Sequence, residues 1–195
     1  MPAMCWRSSN SSDAHQTNAT SPGTSTHTGR INMGIQAVYL SVDDAALKRL
    51  GEAPAEELLD LVEALEEADC PQVGLDKLWD GLHFLLTGVS ASSPIEGNPL
   101  SEAVVGVQVF DCDDFIACTR SEELPAIVAA LDTVSIDEAL AAADFARFRK
   151  AKLYPKIWTD DPSQLKAELE EAFRELRDFY HVCATEQRHV LVSIY

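Results

Sequence analysis

The sequence predicts an α+β fold: a single compact domain with helices packed on a mainly antiparallel sheet, preceded by a disordered N-terminal tail. Three observations carry this expectation. Strand-like runs stand at both ends of residues 33–195, and a hairpin-like pair stands in the middle. Amphipathic helical stretches fall in groups between them and do not alternate one by one with strands. The hydrophobic fraction, 46%, belongs to a chain with a real core, yet residues 1–32 share none of its patterning.

In residues 1–32, serine, threonine and asparagine fill 14 positions and no apolar period is visible. Such a segment buries too little surface to offset its ordering entropy, so disorder is expected. Its two sequons, at Asn10 and Asn18, carry little weight in so Ser/Thr-rich a context. Met33 opens the patterned region. Residues 1–32 are therefore either a true extension or the product of an upstream start, with the second favoured.

Gly34 to Val42 reads as the first strand, rich in β-formers such as Val38 and Tyr39. Ser41 and Asp44 resemble a capping box for a short helix from Asp43, with Gly51 as its stop. Pro54 to Ala68 is amphipathic: Leu58, Leu61, Val62 and Leu65 form the buried stripe, and six carboxylates face water. Pro71 to Gly74 reads as a turn. Asp76 to Gly88 then reads as one helix on which the rest is organised. Leu78, Trp79, Leu82, Leu85 and Leu86 share its apolar face, and Asp76, Asp80, His83 and Thr87 form a polar stripe.

Val89 to Asn98 is a ten-residue loop, longer than most connections. Asn98 and Pro99 are N-cap and N1 of a helix through Val105. Gly106–Phe110 and Phe115–Thr119 make a hairpin around an Asp-rich turn. Ser121 is expected to cap a helix to Leu131, and Ser135 with Glu138 to box one from Ile136 to about Ala151. Tyr154-Pro155 breaks the chain. Asp161 and Pro162 start the longest helix, to about Ala184, and His189–Tyr195 is a closing strand that must pair with an earlier one.

The formal net charge is −17, and residues 33–195 alone carry −18. This argues against binding nucleic acid through a basic surface and against docking on anionic lipid, and is compatible with a basic protein partner or simply with solubility. No apolar run approaches the roughly 18 residues of a membrane span, and no signal-type apolar segment opens the chain, so a cytoplasmic protein is expected. The five cysteines contain no C-x-x-C pair, which argues against a zinc ribbon or a thioredoxin motif. Cys112 and Cys118 could face each other across the hairpin, though reduced thiols are the plainer reading. Walker, G-x-G-x-x-G and H-E-x-x-H motifs are missing, so no cofactor is expected. Oligomeric state is not legible.

Several segments together resemble a known family. They are Met33-Gly34, the block Trp79-Asp80-x-Leu82-His83-Phe84-x-Leu86-Thr87-Gly88, Ser90-Ala91, Asn98-Pro99-Leu100-Ser101-x-Ala103-Val104-x-Gly106 and Tyr154-Pro155. This pattern is similar to the YfbM-like family, a bacterial domain of unknown function, over Met33 to Tyr195. The resemblance implies a compact α+β domain that begins near Met33. It implies no activity and no catalytic residue.

Chemistry is concentrated on the polar stripe. Asp80 and His83, three apart on a helix, can touch, and a carboxylate on one ring nitrogen would raise the basicity of the other, making a general acid or base. With Asp76 the pair could instead be a metal site. The plainer reading is a His–Asp pair tying the helix to its neighbouring loop. Ser90 is close enough in sequence for a Ser/His/Asp hydrolase, yet Gly88–Ser92 is not a nucleophile elbow. Trp79 and Trp158 read as core, although Trp158 beside Tyr154 could rim a pocket, and the candidate binding residues are Trp79, His83, Tyr154 and Trp158. Two functions follow: a binding module for a protein partner, or a small enzyme or ligand-binding protein with its site at His83, Asp80 and the 89–98 loop.

Overall fold

A computed structural model describes residues 34–68 and 70–195. The expected disorder of residues 1–32, the two sequons and Cys5 lie outside the described residues. Among those described, five strands form one antiparallel sheet in the order β2-β1-β5-β4-β3, and eight α-helices pack on it.

The strands are β1 (Ala37–Val42), β2 (Gln72–Asp76), β3 (Gln108–Val109), β4 (Phe115–Thr119) and β5 (His189–Ile194). The closing strand lies at the centre, paired with β1 on one side and β4 on the other. All six residues of β5 are buried, because helices cover both faces. Alternation along the strands sorts the core into two clusters. Leu40, Val42, Ile116, Cys118 and Leu191 point to one face, where α1 (Asp44–Glu52) and α2 (Leu58–Glu67) supply Leu50, Leu58 and Val62. Ala37, Tyr39, Ala117, Val190, Val192 and Ile194 point to the other, under a larger layer. That layer comprises α3 (Trp79–Thr87), α4 (Pro99–Val105), α5 (Leu124–Asp132), α6 (Ile136–Ala142), α7 (Phe145–Lys150) and α8 (Pro162–Thr185).

Local signals account for the element ends that match expectation. Asn98 Oδ1 accepts from the N–H of Leu100 and Ser101, with Pro99 in the first turn. Asp161 Oδ1 accepts from Ser163 N–H at 2.9 Å ahead of the 24-residue α8. Gly88 ends α3 at φ +81°, its N–H on the Phe84 carbonyl.

Seven expectations are corrected. Asp76 to Leu78 are not helical: Gln72–Asp76 pairs with β1 as an edge strand, and α3 starts only at Trp79. The segment read as a turn at Pro71–Gly74 is therefore mostly strand. Asp43, not Ser41, caps α1 by accepting from Ala46 N–H, because Ser41 is still in β1. Gly51 lies inside α1, which ends at Ala53, the residue that Pro54 holds extended. Ser121 belongs to a turn, and α5 starts after Glu123, whose carboxylate accepts from Arg120 N–H at 2.7 Å. The single helix expected from Ile136 is two: Ala143 is extended, Asp144 caps α7, and the hydroxyl of Ser135 caps nothing. Finally, Cys118 stands opposite Gln108, not Cys112, and both cysteines are reduced thiols.

Candidate functional site

The first turn of α3 is buried all round: Trp79, Asp80, Gly81, Leu82 and His83 are consecutive and covered. Its polar residues therefore face neighbouring chain, and each is fully engaged. Asp80, 4% exposed, accepts three hydrogen bonds of 2.8 Å. Ser90 Oγ–H and Ala91 N–H donate to Oδ1, and Tyr154 N–H donates to Oδ2. One carboxylate thus joins α3 to the start of the 89–98 loop and to the segment after α7.

His83 has no exposed surface. Its Nδ1 lies 2.8 Å from the Val89 carbonyl, so that nitrogen carries the proton and donates. Nε2 is then the acceptor for Ser101 Oγ–H at 2.7 Å, and Ser101 Oγ in turn accepts from Ile95 N–H at 2.9 Å. Thr87 Oγ1 donates to the His83 carbonyl at 2.7 Å and stands 3.2 Å from Nδ1. The loop is pinned at Val89 and Ile95 through one imidazole. Burial pushes the His83 pKa below its ordinary value, against the opposing pull of the Val89 carbonyl and of the Asp80 charge. The ring is held neutral. The direct Asp80–His83 contact that the spacing allows is not made, since both partners spend their polar atoms elsewhere.

The Ser101–His83 arrangement has the hydroxyl-to-imidazole geometry of a nucleophile and its base. Ser101 is itself fully buried, however, and its oxygen is occupied by Ile95 N–H. Ser90, the serine singled out in sequence, sits instead on Asp80. Asp76 is exposed at the end of β2 with φ +47°, and Asp80 and His83 do not join it in a ligand set. Among the described residues, no three His, Cys, Asp or Glu side chains gather as metal ligands.

Aromatic residues extend the same clamp. Trp79 stacks on Tyr154 with ring centroids 5.9 Å apart, and the two hold the backbone of Ile35 between them. Trp79 Nε1–H donates to the Ile35 carbonyl, and Ile35 N–H donates to Tyr154 Oη at 2.8 Å. Trp158, 2% exposed, packs against Phe145 and Phe148 and donates Nε1–H to the Leu153 carbonyl. Gly81 is what lets it approach: a Cβ there would overlap the indole ring. Tyr39 and Tyr180 donate their hydroxyls to the Val104 and Ala103 carbonyls, closing the last turn of α4.

Two participants were not anticipated from sequence. Ser101 could have been found, because it shares a helical face with Val104 and Val105, and a polar residue on such a face needs a buried partner. No local pattern in the sequence marks His189. In the structure its Nδ1 accepts from Ser121 N–H at 2.9 Å and its Nε2–H reaches Asp44 Oδ1 at 3.0 Å, linking β5 to two turns.

The recognisable block of this chain is thus an internal clamp of an α+β domain, in which Trp79, Asp80, His83, Thr87, Gly88, Asn98, Ser101 and Tyr154 each hold chain to chain. Residues 33–193 match the family model described as Domain of unknown function (DUF1877), and the chain belongs to that family. It is 27% identical to Protein YfbM of Escherichia coli (strain K12) over 166 residues, which span 83% of this chain and 99% of that one. The crystal structure of YfbM from Escherichia coli, titled a protein of unknown function, superposes with a TM-score of 0.70 at 26% identity. It covers 82% of this chain and 99% of its own.

Proposed function

We propose that this domain is a binding module whose acidic surface engages a basic protein partner. One observation carries the reading: between Arg49 and Lys77 the chain has nine carboxylates and no lysine or arginine. These residues include α2, on the side of the sheet away from the His83 clamp. Glu56, Glu57, Asp60 and Glu67 are exposed there, with no cation paired to them among the described residues. A field of one sign steers an oppositely charged partner and speeds its association. The buried, internally bonded His83 supports the same reading, since a catalytic histidine must reach its substrate.

The test compares the wild-type chain with the variant Glu56→Gln/Glu57→Gln/Asp60→Asn/Glu67→Gln as baits in the native cell extract. A basic protein retained by the wild type, released by salt and lost in the variant is the expected result. Equal retention by both baits would remove the acidic face from the account.

A further inference from the structure

Two runs of like charge stand on opposite sides of the sheet, within a domain whose α8 side also presents carboxylates such as Glu171, Glu175 and Asp178. The α2 side carries the cation-free acidic run. The opposite side carries its converse: residues 147–156 hold Arg147, Arg149, Lys150, Lys152 and Lys156 and no carboxylate. All five are exposed, and among the described residues none joins a salt bridge. In a chain of net charge −17, five unpaired cations within ten residues are a conspicuous concentration. Two of them are also held in place. Arg147 lies over the Phe84 ring at 5.9 Å, and Arg149 donates to the Trp158 carbonyl at 2.9 Å.

The acidic and basic fields cannot meet within one molecule. Phe145, Phe148 and Trp158 anchor the basic segment in the cluster that contains Ala37 and Tyr39. Leu58 and Val62 anchor α2 in the cluster that contains Leu40 and Val42, on the other face of the same strands. They can meet between molecules. We propose that the segment 147–156 docks on the acidic α2 face of a second copy of this chain. The contact is heterologous, so it builds head-to-tail chains of copies and leaves one unmatched surface at each end.

Two bodies of the same net sign repel at long range, and this sets the salt dependence. At about 0.01 M salt the Debye length is about 30 Å, and whole-molecule repulsion dominates. At about 0.15 M it is about 8 Å, which screens the bulk of each molecule while juxtaposed side chains still attract. At about 1 M it is about 3 Å, and the contact itself weakens. Association therefore passes through a maximum at intermediate ionic strength.

Sedimentation velocity of the full chain at these three ionic strengths, over a concentration series, tests the proposal. The wild type is expected to associate most strongly at about 0.15 M. Arg147→Gln/Lys150→Gln/Lys152→Gln and Glu56→Gln/Glu57→Gln/Asp60→Asn are each expected to remain monomeric, with dissociation constants raised at least tenfold. Mixed in equal amounts, they should form a one-to-one complex and nothing larger, because only one matched pair of surfaces survives. Melting curves of both variants at the wild-type temperature confirm that they are folded. A wild type that stays monomeric at every ionic strength, or association that survives in either variant, overturns the proposal. The inference rests on the same acidic face as the reading above, and the basic-side variant separates the two: it should still retain a basic partner while losing self-association.

Discussion

Removing the Asp80 carboxylate should be among the most damaging single changes in this domain. Asp80→Ala leaves three donors without their acceptor: the N–H groups of Ala91 and Tyr154 and the hydroxyl of Ser90. A hydrogen bond to a charged group contributes about 1.5–3 kcal/mol, and a buried donor left unpaired costs about 1–3 kcal/mol. Ser90 borders solvent and can turn to water, so the two backbone N–H groups dominate. The expected loss is about 3–5 kcal/mol, a large part of the 5–15 kcal/mol typical of a domain. At about 2–4 °C per kcal/mol for a chain of this size, the melting temperature should fall by about 10 °C. Asp80→Asn keeps one oxygen, enough for the two donors on Oδ1, and turns an amide NH2 against Tyr154 N–H; it should lose about 1–3 kcal/mol. Ser90→Ala should lose less than about 1 kcal/mol. Urea titration followed by far-ultraviolet circular dichroism measures all three. An Asp80→Ala midpoint indistinguishable from wild type would refute the clamp and return Asp80 to the list of functional groups.

His83→Ala should lose about 1–3 kcal/mol for the same reason, and an unchanged melting temperature would favour a functional histidine over a structural one. Because burial lowers the His83 pKa, the unfolded chain takes up its proton before the folded one does; this contribution is complete above about pH 6.5 and is lost as pH falls below it. A series of urea midpoints from neutral to mildly acidic pH should show that loss, and the slope should shrink in His83→Gln. Nitrogen-15 spectra should find His83 protonated on Nδ1 and His189 on Nε2, opposite tautomers dictated by the Val89 carbonyl and the Ser121 N–H; the same tautomer at both would contradict the geometry. Gly81→Ala should destabilise by about 1–3 kcal/mol despite alanine's better helix propensity, because the new methyl meets the Trp158 ring. Burial raises the Cys118 thiol to about 11, so a thiol reagent near pH 8 should modify it only after unfolding.

What could be read in the sequence was whatever a local signal determines. Asn98-Pro99 and Asp161-Pro162 place α4 and α8 because cap and first turn are neighbours in the chain. β2 was missed because nothing in Gln72–Asp76 beyond Leu75 is buried; the segment is a strand only because β1 offers it an edge. The break between α6 and α7 was missed because Ile136, Leu140, Phe145 and Phe148 keep an almost helical period across it, while Asp144 quietly caps the second piece. The site was half legible. Asp80 and His83 stood out as residue types on one face, but their partners come from positions 89, 90, 91, 101 and 154, and no local pattern points across such distances.

Since β5 occupies the middle of the sheet, the last six residues before Tyr195 are what β1 and β4 both require. Without β5 the order β2-β1-β5-β4-β3 parts into two two-stranded pieces, and a pair of strands by itself is marginal in water.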